Sequence, residues 1–116
     1  MAAMHLVGRE VRTRTTTYRD WFRDSLALDP FLASDAELQQ ALANVRIDGA
    51  GLLRDDWLDL LVTHRMQPHL PSDLALIVHD FPASQCALAR VVRCDDVVVA
   101  ERFECYLGGR ELANGY

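Results

Sequence analysis

The spacing of apolar and polar residues changes character twice along the chain. From Val7 to Thr17, Val and Thr alternate with Arg at a period of two, which predicts a strand. Thr17 then suits a helix N-cap, with Asp20 three residues on as a weak capping box. Trp21, Phe22, Leu26 and Leu28 extend it into a helix over residues 18–28 that stops at Asp29-Pro30. Ser34-Asp35-Ala36-Glu37 is a cleaner capping box. Leu38, Ala41, Leu42 and Val45 follow at helical spacing and predict a second helix over 35–46. Asp48-Gly49-Ala50-Gly51 breaks the pattern. Leu53, Trp57, Leu58, Leu60, Leu61 and Val62 then cover most of a helical turn, so a third, heavily buried helix is expected over 53–66, ended by Pro68 and Pro71.

Beyond Asp73 the pattern becomes strand-like. Leu74 to His79 reads as a short buried strand, Asp80 to Gln85 as a turn, and Cys86 to Arg90 as a short helical turn. Val97 to Leu107 reads as a long strand, Gly108-Gly109 as a tight turn, and Arg110 to Asn114 as a returning strand. The organisation expected is an N-terminal strand and helical segment, residues 1–72, and a sheet segment, residues 73–116, within a single domain. The fold class expected is α+β, with an antiparallel sheet preceded by helices.

The Gly-Gly turn allows the hairpin to be drawn residue by residue, because a two-residue type I′ turn needs positive φ at both positions. With Gly108 and Gly109 in the turn, Leu107 faces Arg110, Tyr106 faces Glu111, Cys105 faces Leu112 and Glu104 faces Ala113. Alternation then puts Arg102, Glu104, Tyr106, Glu111 and Ala113 on one face. Phe103, Cys105, Leu107, Arg110, Leu112 and Asn114 fall on the other. Glu104 and Glu111 are diagonal neighbours, which in a ladder lie roughly 7–8 Å apart. Two carboxylates so placed supply hard oxygen ligands to a divalent cation, and Mg²⁺ is commonly held by one or two carboxylates plus substrate phosphates. The plainer alternative is a solvated pair on an exposed strand with Arg102 as counter-ion.

Composition narrows the classes. The chain has 116 residues, 50% hydrophobic and 25% charged, the values of an ordinary globular domain. Lys is absent, and 12 Arg against 17 Asp plus Glu give a net charge of −5. That balance argues against DNA or RNA gripped by bulk charge and excludes a phosphate-loop or Schiff-base Lys. Arg9, Arg12 and Arg14 read as one charged strand face. Cys86, Cys94 and Cys105 fit no zinc, redox or closed disulfide spacing, so free thiols in a cytoplasmic protein are expected. His64 and His69 flank Pro68 and share no clean helical face for a metal. The longest uncharged apolar run, Leu74 to Val78, is far too short to cross a membrane, and residues 1–5 lack the build of a signal peptide.

Residues 101–116, Glu-Arg-Phe-Glu-Cys-Tyr-Leu-Gly-Gly-Arg-Glu-Leu-Ala-Asn-Gly-Tyr, resemble a signature segment of the class II lysyl-tRNA synthetases. They look closest to the shortened relative that attaches lysine to elongation factor P. Ala113, where lysyl-tRNA synthetases usually carry Gly, favours that relative, as does His79-Asp80-Phe81-Pro82-Ala83-Ser84-Gln85-Cys86-Ala87-Leu88-Ala89. The resemblance is specific over residues 79–116 and looser back to residue 15. It implies a partial antiparallel sheet of the class II aminoacyl-tRNA synthetase type and a ligase that activates lysine with ATP and Mg²⁺. Glu104 and Glu111 match ATP- and Mg²⁺-binding carboxylates, and Leu112 matches a backbone contact to the nucleotide. Ala83, Ser84, Gln85, Asn114 and Tyr116 match positions around the lysine, with Tyr116 replacing a common Phe. Arg102 matches a supporting residue. Elongation factor P, or less readily tRNA, would be the acceptor, with a homodimer among the assemblies implied.

The family's Arg clamps on the phosphates belong to segments expected before residue 1 and after residue 116, and its amine-binding Glu lies two residues past Tyr116. Such clamps stabilise charge on the transferring adenylyl group. The chain alone is therefore expected to show no lysine-dependent ATP–pyrophosphate exchange, like the middle of a catalytic domain. The alternative is an inert remnant that serves as a binding or dimerisation module.

Overall fold

The computed structural model describes residues 3–6, 9–43, 45, 51–85, 90–94, 96–108 and 110–115, with side chains described except at 3–6, 9, 10, 94 and 112–115. Among these, six strands form one sheet: β1 (Ala3–Leu6), β2 (Arg9–Thr17), β3 (Leu74–Pro82), β4 (Val91–Cys94), β5 (Val97–Leu107) and β6 (Arg110–Gly115). The order across the sheet is β1-β2-β3-β5-β4, with β6 also on β5. β5 is long enough to serve two partners on its outer edge. Val97–Ala100 pairs with β4, and Phe103–Leu107 pairs with β6.

The α+β class is as expected, but the sheet is mixed. β2 and β3 run parallel, from Arg12 opposite Leu74 to Thr17 opposite His79, and the other ladders are antiparallel. The helical segment lies between β2 and β3 and returns the chain to the end where β2 began, the long crossover that parallel neighbours require. The chain before and after Asp73 thus shares one sheet. β1 and β4 were not expected. Both are four-residue strands, Ala-Met-His-Leu and Val-Val-Arg-Cys, too short to establish a period.

The crossover holds α1 (Tyr18–Leu26), α2 (Asp35–Ala41) and α3 (Arg54–Leu61). Thr17 caps α1 by accepting from the Asp20 amide at 3.0 Å. Ser34 and Glu37 form the full reciprocal box on α2, at 3.1 and 3.0 Å. α2 ends five residues short of the expectation, at Ala41, where the Leu42 amide bonds back to Gln39 and Gln40. α3 widens after Leu61 into a π turn (Val62–Met66) and then tightens into a 3₁₀ turn (Gln67–His69). Pro68 cannot donate to a continuing helix, so the winding stops there.

The helices cover one face of the sheet. Tyr18, Trp21 and Phe22 of α1, Leu38 of α2, Leu58 and Leu61 of α3, and Met66 pack on Leu74, Leu76 and Val78 of β3 and Tyr106 of β5. Tyr18 stacks obliquely on Phe22 and Phe81 with centroids 4.7 and 4.8 Å away, and Trp21 meets Tyr106 at 5.2 Å. Phe81 would point away from this core under strict alternation. Asp80 instead takes a left-handed φ of 60°, and the β3–β5 register shifts between His79 and Phe81, which returns the Phe81 ring to the core. The expected turn at Asp80–Gln85 is corrected accordingly. β3 continues through Pro82, and only Ala83–Gln85 form a 3₁₀ turn. Of the helical turn expected at Cys86–Arg90, residues 86–89 lie outside the described residues.

The hairpin confirms two drawn pairs and corrects two. Leu107 pairs with Arg110 and Tyr106 with Glu111, but Cys105 pairs with Ala113 and Glu104 with Asn114. One extra residue, Leu112, sits on β6 between these pairs as a bulge. Asn114, drawn two-faced away from Glu104, is therefore in register with it. At the turn Gly108 has φ 57°, and a Cβ there would lie 3.3 Å from the Ser72 carbonyl oxygen.

Candidate functional site

A cavity of about 420 Å³ lies between α3 with its π turn and the start of the β5–β6 hairpin. Its walls come from α1, from α3 and the two turns that follow it, from β3 and the turn after it, and from both strands of the hairpin. α3 and the π turn supply Asp55, Asp59, Val62 and Thr63, α1 supplies Tyr18, and β3 supplies Phe81. Gln85 ends the 3₁₀ turn after β3, and Arg102, Glu104, Tyr106 and Glu111 come from the hairpin. Asp55 and Asp59 are one helical turn apart and so share the α3 face that looks across to the hairpin.

Glu104 sits at the floor, 7% exposed. The Arg102 guanidinium donates to its Oε1 at 2.7 Å, and the Tyr106 hydroxyl donates to its Oε2. Burial pushes the Glu104 carboxyl above the usual carboxylate range, and the nearby Glu111 adds to this. The Tyr106 hydrogen bond and the Arg102 charge oppose it. Burial and the bond to Glu104 push the Tyr106 phenol far up, so it stays a donor. Arg102 also reaches the Gln85 carbonyl at 3.5 Å and stands 5.1 Å over the Phe81 ring. The Gln85 amide lies 3.4 Å from the Tyr18 hydroxyl. These contacts join the turn after β3 to the middle of β5.

Glu111 is exposed on β6, opposite Tyr106. Across the cavity the Asp59 carboxyl is pushed up to about 6, chiefly by burial and then by Asp55, Asp56 and Glu104, with Arg102 opposing. Four carboxylates thus face one space with Arg102 among them, and a cation or ammonium group placed there would relieve their repulsion. Among the described residues no three His, Cys, Asp or Glu converge to hold a metal by themselves. Oxygen donors in ones and twos suit Mg²⁺ that keeps waters and borrows phosphate oxygens.

Of the residues singled out from sequence, Glu104, Glu111 and Gln85 line the cavity. Ser84 stands beside it and donates to Asp55 at 2.9 Å, which holds the turn against α3. Ala83 opens the same turn, half-buried. Leu112 and Asn114 are placed by backbone register in β6, and Tyr116 lies outside the described residues. Asp55, Asp59, Tyr18 and Tyr106 were not foreseen as site residues. The four-residue spacing of Asp55 and Asp59 was a readable sign of a shared face, but nothing local told which way that face turned.

The remaining features are structural. Arg12 forms a two-bond pair with Asp73 at 3.1 and 3.0 Å, and Arg14 meets Asp24 at 3.5 Å, so these arginines are engaged within the protein. Among the described residues, Cys105 is a free thiol and no helix is long and apolar enough to cross a membrane.

No protein-family model matches the chain. Curated relatives do. The elongation factor P–(R)-beta-lysine ligase of Yersinia enterocolitica is 41% identical over 103 residues, 86% of this chain and 31% of the relative. The protein of that name from Enterobacter sp. (strain 638) is 38% identical over 105 residues, 88% of this chain and 32% of the relative. That of Baumannia cicadellinicola is 41% identical over 102 residues, 85% of this chain and 31% of the relative. Over most of its length the chain is similar to elongation factor P–(R)-beta-lysine ligases, and it spans about a third of the length of the relatives it matches.

Proposed function

We propose that this chain supplies the carboxylate-bearing part of an ATP-dependent ligase, related to class II synthetases, that activates (R)-beta-lysine or lysine for transfer to elongation factor P in the cytoplasm. The observation that carries the reading is the coincidence of two things. The chain matches ligases of that name over more than four-fifths of its length, and it folds around a cavity into which four carboxylates face. An amino acid with two amines carries two ammonium groups beside its own carboxylate, and four carboxylates suit those ammonium groups.

On this reading Glu104 and Glu111 form the nucleotide and Mg²⁺ side, with the Leu112 backbone beside them. Ala83, Ser84, Gln85, Asn114 and Tyr116 form the amino-acid side. Mg²⁺, when bound, offsets charge on the phosphates of ATP. The chain's own residues set the stage. Ser84 and Gln85 fix the turn, Arg102 balances Glu104, and Asp55 and Asp59 attract the ammonium groups.

Calorimetric titration of the purified chain tests this with two ligands, Mg·ATP and (R)-beta-lysine, with the lysine whose side-chain amine is acetylated as a control. Binding of (R)-beta-lysine that weakens about tenfold or more in Asp59→Asn is expected, since charge-assisted contacts contribute roughly 1.5–3 kcal/mol. Equal binding of the blocked amine, or no binding of either ligand at millimolar concentration, would overturn it.

A further inference from the structure

The aspartates of α3 differ in what their side chains meet. Asp56 accepts from the Leu53 amide at 2.8 Å and so caps its own helix. Asp55 reaches outside the helix instead. Its Oδ1 accepts from the Ser84 hydroxyl at 2.9 Å, 29 positions along the chain. Ser84 is the middle residue of the 3₁₀ turn Ala83–Gln85 that follows β3. Gln85 ties the same turn down elsewhere. Its side-chain amide lies 3.4 Å from the hydroxyl of buried Tyr18, and its carbonyl accepts from Arg102 at 3.5 Å. Among the described residues, side-chain bonds to α1, β5 and α3 thus hold this turn. Ser84 is exposed, so its bond to Asp55 is the one at the rim.

We propose that Asp55 is a positioning residue: through Ser84 it clasps the turn Ala83–Gln85 to α3 and so sets the width of the cavity between helix and sheet. Asp55 and Gln85 both line that cavity, so a turn that slips along α3 moves one wall against the other. The clasp works in both directions. A hydrogen bond to a carboxylate orders donor and acceptor together, so the contact that holds the turn also restrains the Asp55 side chain. Its charge then acts on the cavity from a fixed place. The inference rests on the proposed amino-acid reading for the identity of the ligand; the hold of Asp55 on the turn does not.

The charge of Asp55 has two uses that do not involve Ser84. It sits in the first turn of α3, where the helix N-terminus favours an acid, and it faces the cavity, where it attracts ammonium groups. Substitution separates these from the clasp. Ser84→Ala keeps the charge and removes the bond. Asp55→Asn removes the charge and keeps an acceptor oxygen for Ser84. Ser84→Thr keeps the hydroxyl and serves as the rescue.

Two measurements on the full chain test the proposal. Amide exchange across residues 83–85, without ligand, follows opening of the turn. Ser84→Ala and Asp55→Ala should each speed it about fivefold or more, and the double variant no further, because both remove one bond. Asp55→Asn and Ser84→Thr should stay within about twofold of the unaltered chain. Titration with (R)-beta-lysine follows the site itself. Ser84→Ala should weaken binding about fivefold or more although every carboxylate remains, and Ser84→Thr should recover it to within about twofold. Adding Ser84→Ala to Asp55→Ala should weaken binding no further. Unchanged exchange in Ser84→Ala would overturn the proposal, as would unchanged binding in that variant. So would losses of binding that multiply in the double variant, the mark of a direct contact between Ser84 and the ligand. If the unaltered chain binds no (R)-beta-lysine, the proposed function fails on its own account and exchange decides: faster exchange in both alanine variants supports the clasp, and unchanged exchange rejects it.

Discussion

Asp59 shows how much a residue's chemistry owes to its neighbours. Alone on a helix it is an ordinary surface carboxylate. Facing Asp55, Asp56 and Glu104 across a cavity, its carboxyl is pushed up to about 6. The sign of the consequence follows from linkage. The folded state holds this proton more tightly than the unfolded chain, so the contribution to stability is complete below the unfolded value and is lost as pH rises through about 6. Asp59→Asn should therefore stabilise the unliganded protein at pH 7 by up to about 1 kcal/mol, since solvent reaches the group and screens it. The gain should vanish near pH 4. Urea unfolding at the two pH values checks this, and a loss of stability at pH 7 would contradict it.

Gly108 illustrates the opposite case, in which backbone and not charge decides. Its φ of 57° is left-handed, and a Cβ would press to 3.3 Å on the Ser72 carbonyl oxygen. Gly108→Ala should cost about 1–2 kcal/mol, measured by the same unfolding, because both strain and crowding act there.

At the scale of elements, local signals were read best where the responsible atoms are close in sequence. The Thr17 and Ser34 caps involve residues three apart, and both formed as read. Ser34→Ala should destabilise the chain by about 1 kcal/mol, with helix content lost first near residues 35–41 by amide exchange. The hairpin turn was legible for the same reason, since Gly-Gly between apolar runs has few other uses. Its register was legible only as far as Glu111. Leu112 offers no sequence sign of a bulge, and its presence depends on the twist and pairing of β5, which is held by β3 on the other edge. The Asp80 irregularity has the same origin. It seats Phe81 beside Tyr18, a contact 63 positions distant along the chain by their numbers.

The whole molecule is joined by a few long-range polar links. Arg19 of α1 meets Asp29 at 2.7 Å and Asp96 at 2.8 Å, tying the first helix to its own exit loop and to the turn before β5. Asp29 is 14% exposed, and although burial works against its charge, Arg19 and the Phe31 amide hold its carboxyl below the usual range. Its contribution is present above the unfolded value and is lost as pH falls through the lower, folded one. Arg19→Met should cost about 2–3 kcal/mol at pH 7, because it leaves a mostly buried carboxylate with weaker partners. The cost should shrink in acid as that carboxylate is protonated. An unchanged difference between pH 7 and pH 3 would contradict the assignment.

The α+β class, the three helices, the caps of the first two, the hairpin and the carboxylates on it are all legible in the sequence, because each depends on residues within a few positions of one another. The resemblance to the elongation factor P lysine ligases was likewise carried by a contiguous segment, and a relative of that name matched over 86% of the chain bears it out. Long-range packing sets the rest: β2 runs parallel to β3, Glu104 is buried between Arg102 and Tyr106, and Asp55 and Asp59 bring the carboxylates facing the cavity to four. Those outcomes follow from how the helical crossover folds back over the sheet. That choice is made by the summed burial of residues far apart in the chain, which no local pattern encodes.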